Sequence, residues 1–562
     1  MPAVFRRFLA ILLLSTLIVG GQAAHAQPPE PLQIAVGDVT QTTAVVWALT
    51  SNVGRVIFEV ALDPGFRATY KLAAGEVRNP AVPVKSAFDG LEPNTRYYYR
   101  ATDARRETAE GTFKTAAGPD QRVGLRFGVS GDWRGDIAPY PAIRNIPERE
   151  LTVFVKLGDT IYGDVASPAF THKQAKTLGD FRAKHREVLS GRYGLNTWRD
   201  ARASTALLAT IDDHEVTNDF VGGAAPSTDP RFDQSGAFIN ETQLYKNGLQ
   251  AFVEYMPIFP RTYEGTGEAL FDGKPKLYRY MTYGKDAALI VLDARSFRDA
   301  ALPDLTTFTP EAIADYLKAT YTPNRGLLGS VQKADLKADL LRAQAAGITW
   351  KFIFVPEPIQ NLGPLAASDR FEGYAAERAE ILKFIAENKI TNVVWVAADI
   401  HGTIVNNLYY QESVDGPRVD TTMWEITTGS VGYDAPFGPT VITLGTEAGL
   451  IKPNQAELFR QLPLLGKDAI IKAVLNEQYT AFGLDPIGLQ DSAIPAELIK
   501  GDYLAVNTYG WTEFEIDAAT QALLVTTYGI EPYSQAELEA DPAAITARQP
   551  AIVSQFRVQA VR

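Results

Sequence analysis

The residues whose types and spacing predict chemistry are carboxylates and imidazoles that stand close together in the chain. Residues 212–215 (DDHE) place three carboxylates around the imidazole of His214, directly after an apolar run. Like charges at such short spacing are costly unless a cation neutralises them. His401 occupies a comparable position, two residues after Asp399. We interpret both segments as parts of a metal site, with a charged, solvated loop as the alternative for residues 212–215.

Further acids follow apolar runs that are typical of strands buried on both faces. The runs cover residues 125–129, 151–157, 289–292, 352–355 and 393–397, and they are followed by Asp132, Asp159, Asp293, Glu357 and Asp399. Taken singly, Asp132 and Asp159 are typical turn residues and Glu357 is typical of a loop. Because open α/β sheets bind ligands outside the carboxyl ends of their strands, we expect these acids to converge.

The composition limits the chemistry of such a site. The chain has no cysteine and only five histidines, which excludes disulfides, thiolate metal sites and a cysteine nucleophile. Oxygen ligands with one or two imidazoles suit Fe³⁺, Mn²⁺, Ca²⁺, Mg²⁺ or Zn²⁺. Two such ions about 3.5–4 Å apart can clamp a phosphate and generate a hydroxide. We expect Asp159 to bridge them and Tyr162 to add a phenolate, whereas His172 and His185 are interpreted as surface residues.

The elements that must position these residues alternate between strands and helices. Amphipathic helices are predicted over 333–346 and 377–388, between the buried strands. This alternation predicts a layered α/β fold in which helices flank β-sheets. Residues 32–115 instead show short β-branched and aromatic runs separated by turns, which predicts a small all-β module. Its segment 91–97 is similar to the corner of a fibronectin type III-like sandwich, where Tyr97 would be held by a hydrogen bond.

The first 26 residues have the pattern of a secretory signal peptide. Arg6 and Arg7 precede an apolar run at 9–20, and residues 24–26 (AHA) form a cleavage site. The arginine pair also suggests twin-arginine export, and a retained membrane anchor is the alternative. We expect a periplasmic or secreted protein without stable membrane insertion. Its net charge of −12 argues against nucleic acid or anionic lipid as a general partner.

The order of these motifs resembles the calcineurin-like metallophosphatases, and among them the alkaline phosphatase D (PhoD-like) family. The residues that carry the resemblance are Asp132, 158–162 (GDTIY), 212–215 (DDHE), 292–298 (LDARSFR), 349–351 (TWK) and 399–401 (DIH). The resemblance covers most of residues 32–530. We therefore expect a signal peptide at 1–26, a fibronectin III-like β-domain at 30–117, a metallophosphatase domain at 122–530 and a C-terminal extension at 531–562.

The resemblance implies two metal sites. The first, which is often iron in the family, would be held by Asp132, Asp159, Tyr162 and His401. The second would share Asp159 and add Asp213, Asp399 and Glu357. Asp399 stands where the wider superfamily commonly has histidine, which favours Ca²⁺ or another oxygen-loving ion.

One position departs from the family pattern. Many PhoD-like proteins have a Ser-Cys pair after the first strand, and the cysteine ligates iron. This chain has Gly131 in that place, so we expect Asp132 to serve as a carboxylate ligand. The set of metals would then be two or more ions, iron(III) and calcium first, with zinc, manganese or magnesium as alternatives.

The resemblance also implies roles for three basic residues. His214 would donate to the phosphate or to the leaving oxygen rather than ligate a metal. Arg134 or Arg295 would bind a phosphate oxygen. For Arg295, a buried ion pair with Asp293 is the alternative.

These inferences together predict an exported dinuclear phosphoesterase. It would hydrolyse phosphate monoesters, diesters or both by attack of a metal-activated hydroxide, acting as a monomer on a small-molecule phosphate ester. A phospholipase D-like phosphodiesterase and a non-catalytic extracellular binding protein on a phosphatase scaffold are the alternatives.

Overall fold

Two large β-sheets pack face to face, and helices cover their outer faces. The computed structural model describes residues 31–561 except 306, 308, 364, 365, 448–450 and 482. The predicted signal peptide at 1–26 lies outside the described residues. Within the described part of the chain, no helix is long and apolar enough to cross a membrane.

The elements are numbered along the described chain. The strands are β1 (Gln33–Gly37), β2 (Ala44–Leu49), β3 (Gly54–Ala61), β4 (Thr69–Val77), β5 (Val84–Phe88), β6 (Arg96–Thr102), β7 (Thr108–Lys114), β8 (Leu125–Trp133), β9 (Val153–Leu157), β10 (Ala206–Thr210), β11 (Arg279–Tyr283), β12 (Ala287–Val291), β13 (Trp350–Phe354), β14 (Val393–Ala397), β15 (Thr403–Tyr410), β16 (Val419–Thr427), β17 (Ser430–Gly432), β18 (Ala496–Gly501), β19 (Leu504–Ala505), β20 (Tyr509–Ile516), β21 (Leu523–Ile530) and β22 (Ala551–Val558). The helices are α1 (Leu178–Leu189), α2 (Thr197–Ser204), α3 (Gln243–Tyr255), α4 (Pro310–Thr320), α5 (Ser330–Ala345), α6 (Ala375–Glu387), α7 (Phe437–Glu447), α8 (Pro453–Gln461), α9 (Leu464–Ala481), α10 (Gln535–Ala540) and α11 (Pro542–Thr546).

The predicted layered α/β fold is confirmed. The predicted apolar runs form β8, β9, β12, β13 and β14, and the two predicted helices correspond to α5 and α6. Strands β8, β9 and β10 run parallel in one sheet, and β12, β13, β14 and β16 run parallel in the other. Phe127 of the first sheet contacts Phe352 of the second with ring centroids 4.8 Å apart, so the main core lies between the sheets.

The N-terminal strands form the predicted β-sandwich. Strands β1, β2 and β5 make one face and the order β4-β3-β6-β7 makes the other. The backbone N–H of Glu92 donates to the Tyr97 hydroxyl over 2.8 Å, which confirms the predicted tyrosine corner. The sandwich is closed by buried side chains of both faces, including Val46, Phe58 and Phe113.

The sheets continue across both predicted domain boundaries. Strand β1 of the sandwich pairs in parallel with β10, so that the first large sheet has the order β18-β22-β21-β20-β8-β9-β10-β1-β2-β5. A Cβ at Gly37 would lie 2.5 Å from the carbonyl oxygen of Pro257, so glycine permits this junction. At the other end, β22 pairs with β21. Residues 551–558, which lie in the C-terminal extension predicted at 531–562, therefore form part of the main sheet.

Candidate metal centre

The predicted ligands lie where the parallel strands of both sheets end. Asp132 ends β8, Asp159 follows β9, and residues 212–214 follow β10 in the first sheet. Glu357 follows β13, and Asp399 and His401 follow β14 in the second sheet. Because the two sheets face each other, these loops meet at one edge of the sandwich, as the strand-end argument predicted.

The backbone at several of these positions is in the left-handed region. The φ angles are +60° at Asp132, +46° at Asp159, +63° at Asp399 and +57° at His401. This conformation is uncommon for residues with a Cβ, although aspartate tolerates it better than most. Strained positions of this kind cluster at functional sites because the surrounding structure must hold them.

The first cluster joins the two sheets. Asp132, Asp159 and His401 each offer a ligand atom within 4.8 Å of the others. The Nε2 atom of His401 lies 3.5 Å from Asp132 Oδ1 and 3.5 Å from the Tyr162 hydroxyl. Burial, reinforced by the charge of His214, lowers the pKa of His401 to about 3, so the ring is neutral and able to ligate. Geometry thus brings together all four side chains predicted for the first site.

The second cluster contains Asp159, Asp213 and His214, again within 4.8 Å. His214 Nδ1 lies 2.6 Å from Asp164 Oδ1, and Asp164 Oδ2 accepts the backbone N–H of Asn218. Burial favours the neutral imidazole, but the charge of Asp213 and the bond to Asp164 outweigh it and raise the pKa of His214 to about 10. Asp164 was not predicted from the sequence.

The third cluster contains Glu357, Asp369 and Asp399. Glu357 and Asp399 were predicted to join Asp159 and Asp213 in the second site; their oxygens lie within 4.8 Å of those of Asp369. Asp369 was also missed by the sequence argument.

Two buried arginines lie beneath the clusters. Arg295 Nε donates to Asp212 Oδ1 over 2.6 Å, and its terminal nitrogens donate to Asp369 and contact Glu357. Arg298 contacts Glu357 and Asp369 as well. The Arg295 side chain is 0% exposed, so it forms buried ion pairs and does not face a phosphate. The ion-pair alternative therefore describes Arg295 better, although its guanidinium pairs with other acids than the predicted Asp293. Asp293 accepts the backbone N–H of Arg295 and not its side chain.

Replacing Arg295 by methionine is expected to lower the free energy of unfolding by about 3–5 kcal/mol, because the buried carboxylates of Asp212 and Glu357 and the half-buried carboxylate of Asp369 lose a partner. Urea unfolding measures this loss. The exposed ion pair of Arg557 with Glu497 is the control, and its removal by Arg557→Met should cost at most about 1 kcal/mol. Wild-type stability together with a raised KM in Arg295→Met would instead support direct phosphate binding.

Arg134, the other arginine predicted to bind a phosphate oxygen, lies at the rim of the first cluster. Its Nε and Nη2 donate to Asp136 over 3.0 and 2.6 Å, and its side chain is 15% exposed. Beside it, the ring of Tyr433 stacks on His401 with centroids 3.6 Å apart. Tyr433 follows the three-residue strand β17, which was too short to be recognised in the sequence.

The atoms that could bind metal at this site fit hard cations. Both carboxylate oxygens of Asp132, Asp212 Oδ2 and Glu357 Oε2 are buried and have no hydrogen-bond donor among the described residues. Burial and the neighbouring carboxylates raise the pKa of Asp132, Asp159 and Asp399 well above the usual range. Cations would supply the missing partners and restore the charged form of these acids.

The structure corrects the interpretation of one other histidine. His185 lies on α1, is 2% exposed, and stacks on Tyr255 with ring centroids 5.0 Å apart. It was interpreted as a surface residue because its helix looked polar, yet the face that carries it packs against α3. His172 is exposed, as predicted.

Comparison with known proteins places these residues in a family context. The family model described as "PhoD-like phosphatase" matches residues 129–461, which include every cluster residue. A second model, "PhoD-like phosphatase, N-terminal domain", matches residues 16–117. Alkaline phosphatase D of Bacillus subtilis (strain 168) is 26% identical over 487 residues, covering 79% of this chain and 75% of that protein.

A solved structure shows the same fold. The structure described as "Structure of PhoD" superposes with a TM-score of 0.65 at 20% identity, covering 94% of this chain and 91% of that one. Purple acid phosphatase PPD1 from yellow lupin seeds superposes with a TM-score of 0.47 at 11% identity, covering 89% of this chain and 72% of that one.

Proposed function

This chain belongs to the PhoD-like phosphatase family and is a phosphatase hydrolase, and on that premise we propose that it is an exported phosphoesterase dependent on two or more metal ions. Its substrates would be small-molecule phosphate monoesters, diesters or both. Export would follow from the signal pattern at 1–26 and deliver the enzyme to the periplasm or the medium.

One observation carries the proposal. Asp132, Asp159, Asp213 and His401 are far apart in sequence, yet they meet at one edge of the sandwich, where neither carboxylate oxygen of Asp132 has a hydrogen-bond donor among the described residues. Buried acids in such proximity repel one another unless cations lie between them. Cations bound there would supply a hydroxide nucleophile and neutralise charge on the phosphoryl oxygens.

The first two clusters share Asp159, which suits it to bridge two ions. The phenol of Tyr162 and the imidazole of His401 favour iron(III) in the first cluster. The third cluster offers only carboxylates and favours calcium. Zinc, manganese and magnesium remain alternatives for the same ligands.

The surrounding side chains have separate proposed roles. Asp164 fixes the ring of His214, whose other nitrogen is then free to donate a proton to the leaving oxygen. Arg134 is the predicted arginine with solvent access and would bind a phosphate oxygen. Ser130 is fully buried, and its hydroxyl donates to the carbonyls of Gly429 and Gly510 over 3.0 Å, so no serine phosphoenzyme is proposed.

Metal removal tests the proposal directly. Protein purified without chelator is expected to contain about two or more metal ions per chain and to hydrolyse p-nitrophenyl phosphate, bis(p-nitrophenyl) phosphate or both. Chelation should abolish turnover, and iron with calcium should restore it. Elemental analysis and the two assays give the result.

Full activity at below about 0.2 ion per chain would contradict metal dependence. Neither metal nor turnover would support the non-catalytic binding protein instead. Turnover of phosphatidylcholine vesicles, but not of the soluble esters, would support the phospholipase D-like alternative.

A further inference from the structure

Glu215 stands beside the metal centre but belongs to none of its clusters. Its side chain is fully buried and accepts three hydrogen bonds. Oε1 accepts from the backbone N–H and the hydroxyl of Thr160, each over 2.5 Å. Oε2 accepts from the backbone N–H of Asp212 over 2.9 Å. One carboxylate thus links the loop after β9 to the loop after β10.

The two linked loops carry the shared ligands of the centre. Thr160 directly follows Asp159, and Asp212 directly precedes Asp213. Other hydrogen bonds join the same loops: Gly163 N–H donates to the His214 carbonyl over 2.8 Å, and His214 N–H donates to Asp159 Oδ1 over 3.3 Å. Asp164 adds its contacts with His214 Nδ1 and the Asn218 N–H. Among the residues that the structure describes, only Glu215 contributes a side chain whose two oxygens reach backbone donors of both loops.

The backbone on either side of this link is also restrained. Lys156 Nζ donates to the carbonyl of Thr160 over 2.9 Å. This bond fixes Thr160, which donates two hydrogen bonds to Glu215. Behind Glu215, helix α3 approaches so closely that a Cβ at Gly248 would lie 2.3 Å from the Glu215 carbonyl oxygen. Glu215 therefore cannot shift without moving β9 or α3.

We propose that Glu215 is a positioning residue that sets the distance between Asp159 and Asp213, and so the spacing of the clusters that share Asp159. This role rests on the proposed metal-dependent function. Groups behind metal ligands typically change metal affinity or activity about 10–100-fold when they are replaced. Glutamine at 215 would keep one acceptor oxygen but turn an NH₂ group toward a backbone donor, which forces the loops apart.

The test compares Glu215→Gln with Glu377→Gln in the full chain. Glu377 is a matched control, because it is also buried and its Oε2 accepts the backbone N–H groups of Leu327 and Leu328 over 2.6 and 3.3 Å. Chelator-treated protein is titrated with Co²⁺ and followed by visible absorption. Glu215→Gln should weaken Co²⁺ binding about 10–100-fold with an altered spectrum, whereas Glu377→Gln should stay within about twofold with the wild-type spectrum.

A second pair of variants, Thr160→Val and Thr160→Ser, keeps the test independent of whether Glu215→Gln folds. Thr160→Val removes only the hydroxyl bond and should weaken Co²⁺ binding, and Thr160→Ser should restore it. Wild-type affinity and spectrum in both Glu215→Gln and Thr160→Val would overturn the positioning role. Equal weakening in Glu377→Gln would overturn it too, by showing a general loss of stability. If the unsubstituted chain binds no Co²⁺ and also contains no metal in the elemental analysis above, the metal-dependent function fails and this role fails with it.

Discussion

Asp159→Asn is expected to lower kcat/KM for both p-nitrophenyl esters roughly a thousandfold or more, a loss of about 4 kcal/mol of transition-state stabilisation. The reason is that Asp159 belongs to two clusters at once. Asparagine keeps the size of the side chain and an acceptor for the His214 N–H, but it removes the negative charge that two cations would share. Steady-state kinetics with elemental analysis of the same samples measures both effects.

The control for this substitution is Asp339→Asn. Asp339 is a buried aspartate on α5 that accepts the hydroxyl of Tyr278 over 2.7 Å, and it lies outside the clusters. It should retain the wild-type kcat even if its thermal stability falls. Wild-type turnover and metal content in Asp159→Asn would refute a bridging role for Asp159.

The fold was predictable wherever burial alone dictates an element. Continuous apolar runs such as 393–397 have few alternatives to a strand covered on both faces, and β14 forms there. The junction of β1 with β10 could not be predicted. Its one paired position, Gly37 with Leu207, depends on how two distant segments pack and leaves no local periodicity. The same holds for β22, because any half-buried strand could have joined that edge of the sheet.

The residues of the site likewise divide into those that could be predicted from the sequence and those that could not. Asp132, Asp159 and His401 were predictable because each follows an apolar strand, and strand ends of an α/β sheet converge. Asp369 and Asp164 lie in loops without periodicity, so nothing local marks them as neighbours of other acids. The partners of Arg295 come from two different loops, the one after β10 and the one after β13, and sequence proximity pointed to Asp293 instead.

Buried acids in this centre are neutralised in two different ways. Asp212, Glu357 and Asp369 contact the guanidinium groups of Arg295 or Arg298. Asp132 has His401 at 3.5 Å as its nearest basic group, and that imidazole is neutral because burial lowers its pKa to about 3. Asp132 therefore lacks the guanidinium partners that Glu357 and Asp369 of the third cluster have, and bound cations would supply its missing partners.

His214→Ala is expected to lower kcat about 10²–10⁴-fold while metal content stays near wild type. The ring is held by Asp164 through Nδ1 over 2.6 Å, and the side chain is 12% exposed, so Nε2 can reach a leaving oxygen. A proton donor matters most when the departing alcohol is a poor leaving group. The loss should therefore be larger for an alkyl phosphate than for p-nitrophenyl phosphate, and Asp164→Asn should show the same dependence more weakly.

The competing role is metal ligation, because an atom of His214 lies within 4.8 Å of ligand atoms of Asp159 and Asp213. A ligand and a proton donor respond differently to the same substitution. Loss of a ligand removes metal and slows both esters by the same factor, since the nucleophile itself is lost. Loss of a proton donor leaves the metal bound and slows the alkyl ester more. Metal content and the ratio of the two rates, measured together in His214→Ala, separate the two roles whichever is correct.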